Sequence, residues 1–267
     1  MLFGDSWYKQ GMDSFYTDHW REIEPERLER YERMFQYRDD QAALLNPLDL
    51  AGAGRVLDFG CGPGFMAEEI ASRVDVDVVG ADLNEDFVAR ANARNQRKNL
   101  SFVHLDGSDL LSQVGMVDRL FCKNVLEYVP DLGETLSSFN RTLQSGGEIL
   151  IVDSDWGFVL VEPWGNQRTQ EFFSAASAAF REPLIGRKLP GALRKAGFAS
   201  IQVRMLAGVD LSGWGLNVLT NMVSYIRQFQ TRPESELSTM MQELEAAVDS
   251  GDYMFILPQF LVTAKKP

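Results

Sequence analysis

Cysteine, histidine, basic charge and long apolar runs are all scarce in this sequence. The 267 residues include two cysteines, Cys61 and Cys122, in segments that read as core strand ends, so no disulfide framework is implied. Both cysteines read as small core residues. The two histidines, His19 and His104, give no paired metal-ligand spacing, and no metal site is expected. No stretch of about 18 apolar residues occurs, which argues against a membrane-spanning helix. Residues 1–7 have neither the basic start nor the apolar run of a secretory signal, so a cytoplasmic location is expected.

Lysine and arginine number 26 against 38 acids, a formal net charge of -12. Nucleic-acid binding draws most of its affinity from phosphate neutralisation by a basic patch. The short clusters Arg94, Arg97, Lys98 and Arg187, Lys188 read as solvated helix faces, so neither nucleic acid nor an anionic membrane is expected as a partner. The remaining composition, 45% hydrophobic and 24% charged, is that of a globular chain with a sizeable core.

What is present is alternation. Between residues 21 and 45 a helical pattern puts Leu28, Tyr31, Met34 and Phe35 on one face, and Gly52 and Gly54 end this leader. Strand-like runs follow at 55–58, 77–81, 100–104, 117–122 and 148–152, with helical stretches at 64–73, 85–97 and 132–143. Such an order predicts a parallel α/β sheet with helices on both faces. Beyond Asp153 come a helical face at Phe172, Phe173, Ala176, Ala179 and Phe180, a helix at 190–196 and a strand at 200–204. A helical insertion then shows Val218, Leu219, Met222, Val223, Ile226 and Phe229 on one face. Its second helix opens on Thr231-Arg232-Pro233-Glu234, a capping-box pattern, and the chain closes with an apolar strand at 253–264.

The stretch from Val56 to Phe65 runs an apolar strand into Gly60-Cys61-Gly62-Pro63-Gly64 and then a helix. Glycines let the backbone turn tightly and approach a ligand with no Cβ in the way. The spacing is G-x-G-x-G rather than the G-x-G-x-x-G of dinucleotide sites. Asp58, just before the glycines, would repel a pyrophosphate and suits a cation such as the sulfonium or ammonium of S-adenosylmethionine (SAM). Asp82 ends the second strand about 20 residues on, where a carboxylate can accept from both ribose hydroxyls. Asp106 follows the third strand, placed to meet an adenine amino group.

These stretches, together with Cys122 to Pro130 and Leu143 to Glu148, resemble the class I SAM-dependent methyltransferases, most of all small-molecule enzymes related to the quinone-ring C-methyltransferases. The resemblance spans about residues 54–153 and implies a seven-stranded Rossmann-like sheet in the order 3-2-1-4-5-7-6. It further implies a helical N-terminal lid over residues 1–50, a SAM-binding domain over 51–267, and acceptor-site insertions after strands five and six, near 155–185 and 210–250. Cofactor contacts are implied at Asp58, Gly60, Cys61, Gly62 and Gly64 for the methionine part, and Asp82 for ribose. Leu83 would pack on adenine, Asp106, Gly107 and Ser108 would meet its edge, and Asn124 and Leu126 would lie near the methyl group.

Glu127 and Tyr128 are the candidate catalytic residues, able to accept a proton or orient the acceptor; their plainer reading is a helix-start acid and a packing tyrosine. Tyr8, Tyr16 and Trp20 in the leader, and Trp156 and Trp164 after strand five, are the candidate acceptor contacts. Lys123 reads first as the partner of a helix-borne acid, His104 as a strand residue, and His19 as a surface one. The expected reaction is methyl transfer to carbon, nitrogen or oxygen of a small acceptor, with S-adenosylhomocysteine (SAH) as product, by a monomer or homodimer. A SAM-binding cyclisation catalyst and an NAD-dependent oxidoreductase are the competing readings.

Overall fold

The computed structural model describes residues 18–267. The chain divides into two compact units. Among the described residues the first comprises 18–153, 188–204 and 261–267, and the second comprises 154–187 and 205–260.

The leader pattern at 21–45 is broken rather than continuous. Helix α1 spans Pro25–Met34 and α2 only Ala42–Leu45, with a 3-10 turn before α2. Proline fits the first helical position of α1, where its missing N–H costs nothing, and so sets the start at Pro25.

The alternating region gives β1 (Arg55–Phe59), α3 (Phe65–Arg73), β2 (Asp77–Asp82), α4 (Glu85–Arg94), β3 (Leu100–His104), α5 (Leu110–Val114), β4 (Val117–Lys123), α6 (Leu132–Thr142) and β5 (Leu143–Ser154). Strands β1 to β5 pair in parallel, in the sequence β3-β2-β1-β4-β5. Runs such as Leu120-Phe121-Cys122 and Ile149-Leu150-Ile151-Val152 are wholly buried, as a parallel sheet covered on both faces requires. One face carries Val56, Val78, Leu100, Phe102, Phe121, Leu150 and Val152, which pack with α2 and α3 residues Leu44, Leu45, Ala67 and Ile70. On β1, Phe59 meets Phe139 of α6 edge to face at 4.7 Å.

The second unit begins as β5 ends. It holds β6 (Leu160–Glu162), α7 (Gly165–Ala176) and the start of α8 (Ile185–Lys195). Helix α8 starts earlier than the expected 190–196 and tolerates Pro190 inside it. After β7 (Ala199–Leu206) come β8 (Val209–Asp210), α9 (Leu216–Phe229), α10 (Glu234–Ser250), β9 (Met254–Ile256) and β10 (Gln259–Lys265).

Strands β7 and β10 complete a seven-stranded sheet, β3-β2-β1-β4-β5-β10-β7. The numbers depart from 3-2-1-4-5-7-6 because β6, β8 and β9 intervene in the chain and form a separate three-stranded antiparallel sheet. The single apolar strand expected at 253–264 is two strands, since Pro258 lacks the N–H a ladder needs.

The capping box expected at Thr231 is absent. Pro233 occupies the cap position of α10 without a side-chain bond, and the Thr231 hydroxyl donates to the Ala175 carbonyl at 2.8 Å. No helix among the described residues is long and apolar enough to cross a membrane.

Candidate active site

The turn after β1 is built on three left-handed glycines, Gly60, Gly62 and Gly64, with φ of +71°, +52° and +86°. At Gly60 a Cβ would stand 2.3 Å from Val125 Cγ2, so the turn lies directly against the loop after β4. The N–H groups of Gly60 and Cys61 donate to the Ala81 carbonyl at 2.7 and 3.1 Å, clasping the turn to the end of β2. At Gly62, among the described residues, only a Phe35 ring carbon comes within 4 Å of a built Cβ.

Three acids follow one another at the carboxyl ends of adjacent strands. Asp58 is 2% exposed and its Oδ2 has no hydrogen-bond partner among the described residues. Burial, then the charge of Asp82, pushes its carboxyl up to about 7, against the opposing pull of Lys123.

Asp82, 8% exposed, accepts the Gly62 N–H on Oδ2 at 2.7 Å and the Asn84 N–H on Oδ1 at 2.8 Å. Burial raises its affinity for a proton while these backbone bonds oppose the rise. Each carboxylate oxygen has a second lone pair, so acceptor capacity remains for a diol. Asp106 is exposed, and hydrogen bonds from Ser108 hold its carboxyl below the usual range. Gly107 beside it has φ of +90°, and none of the described residues comes within 4 Å of where a Cβ would be. His104 Nε2 lies 3.1 Å from the Leu83 carbonyl on an exposed strand end.

After β4 the chain turns at Asn124, a left-handed residue whose N–H donates to the Val152 carbonyl at 2.9 Å. The Leu126 N–H donates to Asp153 Oδ2 at 3.1 Å, and Leu126, Glu127 and Asp153 are all buried. Tyr128 is half-buried, and its ring meets that of Trp20 at 5.1 Å and 65°. The leader and the loop after β4 thus share an aromatic contact. Tyr31 and Phe35 extend the cluster from Trp20 along α1. Tyr8 and Tyr16 lie outside the described residues.

Two residues that sequence reasoning missed fasten these parts. The Asn84 side chain caps α4 by accepting the Phe87 N–H at 2.8 Å, and its Nδ2 donates to the carbonyls of Trp20 and Arg21 at 3.0 and 3.2 Å. The cap was legible, since Asn followed by Glu85-Asp86 and an apolar residue is a helix-start signal. Its hold on the leader carries no local signal. Arg94 donates to the Pro63 carbonyl in the glycine turn and pairs with Glu68 of α3 and Glu32 of α1.

His19, expected at the surface, is half-buried against Trp20. Burial, then the charge of Arg27, lowers its pKa to about 4.

Within the second unit, Trp164 is buried against Phe172 at 4.9 Å, and Trp156 packs on Phe173 and Phe180 at 5.4 and 5.1 Å. Beside them the fully buried Asp155 is gripped by Arg187 through two bonds of 2.7 Å. Among the described residues no group of three His, Cys, Asp or Glu side chains could hold a metal ion.

Residues 57–151 match the family model for a methyltransferase domain. The ubiquinone biosynthesis O-methyltransferase of Psychrobacter cryohalolentis is 33% identical over 155 residues, 55% of this chain and 57% of that protein. The chain spans about half the length of the curated relatives it matches. Among solved structures, phosphoethanolamine N-methyltransferase 2 of Haemonchus contortus superposes with a TM-score of 0.61 at 18% identity, covering 96% of this chain and 60% of that one. The [4+2]-cyclase SpnF superposes with a TM-score of 0.51, also at 18% identity, over 84% and 79% of the two chains. Identities this low speak for the fold alone.

Proposed function

We propose that this chain, which carries a class I SAM-dependent methyltransferase domain, binds SAM at the ends of β1, β2 and β3 and methylates a small organic acceptor. The observation that carries the reading is Asp58, a buried carboxylate with one oxygen unpartnered among the described residues, beside a left-handed glycine turn. Leaving a buried charge uncompensated is costly, and a cationic ligand group removes the deficit. SAM fits the remaining residues too. Gly60, Cys61, Gly62 and Gly64 would line its amino-acid part, and Asp82 retains acceptor capacity for the ribose. Leu83 would pack on the adenine, with Asp106, Gly107 and Ser108 at its edge, and Asn124 and Leu126 would face the methyl side.

When bound, the cofactor supplies an electrophilic methyl carbon on a sulfonium. The chain then has to align an acceptor atom and exclude water. Trp20, seated on Tyr128, is the candidate for covering that side. Tyr128 is placed to orient the acceptor, and Glu127, buried next to it, to take a proton where the acceptor must lose one. The acidic surface and the aromatic cluster favour a neutral or cationic, partly apolar acceptor. The coarse class of the acceptor, a small molecule, is also that of the ubiquinone and phosphoethanolamine enzymes.

The fold is shared with a cyclase, so cofactor binding alone does not identify the reaction. Calorimetric titration with SAM, SAH and NAD, followed by assay for SAH formation on a panel of phenols, amines and activated carbon acids, separates the readings. SAM-type binding with acceptor-dependent SAH release supports methyl transfer. Binding without SAH release on any acceptor moves the reading to a cyclisation catalyst, and NAD binding in place of SAM sinks it.

A further inference from the structure

Lys123, the last residue of β4, carries a charge that the packing of the sheet does not explain. Strand β1 pairs with β4 in the register Asp58↔Phe121 and Phe59↔Cys122. Lys123 is therefore two residues beyond the partner of Asp58. By strand alternation it faces the same side of the sheet, one step past the last β1 pair.

The plain reading of such a lysine is a salt bridge to a neighbouring acid. Asp58, Asp153 and Glu127 are all close enough to favour its charged form, yet none of the described residues forms a hydrogen bond or ion pair with its ammonium group. Asp153 spends an oxygen on the Leu126 N–H instead. Burial works against the lysine's charge, as does a second cation, Arg38 of the leader. On one face of the sheet, next to the glycine turn, the described residues thus leave a carboxylate oxygen of Asp58 without a hydrogen-bond partner and offer no hydrogen bond or ion pair to the Lys123 ammonium group, which has three donors.

One ligand feature answers both: a zwitterion. Resting on the proposed cofactor site, we propose that Lys123 binds the α-carboxylate of the cofactor's amino-acid part while Asp58 takes its α-ammonium group. A buried carboxylate and a half-buried ammonium group compensate each other poorly without direct contact, and an amino acid bridging them supplies charge-assisted hydrogen bonds to each. Arg38, half-buried and paired with Asp40 at 3.3 Å, adds positive potential on the same side. The assignment gives the chain a means of distinguishing intact cofactor from its breakdown products, which lack the amino acid.

The test uses SAH, SAH lacking its carboxylate, and 5′-methylthioadenosine, titrated calorimetrically into the wild-type chain, Lys123→Met and Lys123→Arg. Wild type is expected to prefer SAH over the decarboxylated form by about tenfold or more. Lys123→Met should lose that factor on SAH alone, with the other two ligands within about twofold of wild type, and Lys123→Arg should recover most of the loss. Equal weakening of all three ligands, or unchanged SAH affinity, overturns the assignment. The wild-type preference tests the idea even where Lys123→Met fails to fold. Wild type that binds 5′-methylthioadenosine as tightly as SAH overturns the role of Lys123 and leaves the cofactor site standing. Wild type that binds none of the three overturns the proposed function with it.

Discussion

The Asp82 carboxylate receives the backbone N–H of Gly62 at 2.7 Å, so the acid that ends β2 also holds the glycine turn that follows β1. Its other oxygen receives the Asn84 N–H. Asp82→Ala leaves both donors unpaired. The expected outcome is a loss of about 1–3 kcal/mol in stability together with at least a tenfold loss of SAH affinity. Urea denaturation and calorimetry read the two effects separately, and unchanged affinity in the folded variant would remove Asp82 from the site.

Asp58 makes stability depend on pH in an unusual direction. Its carboxyl sits at about 7 in the fold, raised by burial from the ordinary 3.8. The folded chain therefore holds this proton more tightly than the unfolded one. The stabilisation is complete below the unfolded value, declines as pH rises from about 4 to about 7, and is gone above that. A shift of this size corresponds to roughly 4 kcal/mol. Asp58→Asn is neutral at every pH, so it should raise the stability of the ligand-free protein at pH 8 far more than at pH 4.5, while abolishing tight SAH binding. Equal effects at the two pH values in denaturant titrations would contradict the buried carboxyl.

Gly60→Ala combines a left-handed φ with a Cβ placed 2.3 Å from Val125. Strain and overpacking should together cost about 2–4 kcal/mol. Adding Val125→Ala relieves the collision and leaves the strain, so the double variant should be more stable than the sum of the single ones predicts. A double-mutant cycle by denaturation measures this coupling, and strict additivity would mean that the turn and the β4 loop are not in contact.

Asn84→Asp keeps an oxygen to cap α4 but replaces the donor facing Trp20 and Arg21 with a carboxylate. Amide exchange should quicken across residues 18–34 while α4 stays protected. Asn84→Ala should add a capping loss of about 1 kcal/mol. Unaltered exchange in the leader of Asn84→Asp would show that the side-chain amide does not hold it.

Much of the first unit was legible because a buried parallel sheet writes itself as unbroken apolar runs. Strand β3 came out at its observed bounds, β2 within a residue, and the three glycines stand where the turn needs them. Strand β5 begins five residues before the expected start, at Leu143, because Gln144, Ser145, Gly146 and Gly147 hide it from a pattern based on hydrophobicity. The small sheet of β6, β8 and β9 was missed for a related reason: segments of two or three residues are too short to show any period. At the site, the acids could be found because each lies at or just beyond the carboxyl end of a strand. Asn84 as a tie to Trp20, and Lys123 as an ammonium group with no hydrogen bond or ion pair among the described residues, could not, since both depend on contacts that local pattern does not record.

The leader helix α1 is made early and finished late. Its Glu32 pairs with Arg90 and Arg94, 58 and 62 residues further along the chain. During synthesis at about 5–20 residues per second, that segment waits several seconds for the partners that seat it. Until α4 has left the ribosome, Leu28 and Tyr31 of α1 lack Phe87, the α4 residue they cluster with, so the apolar face of the nascent leader stays open to water for that interval.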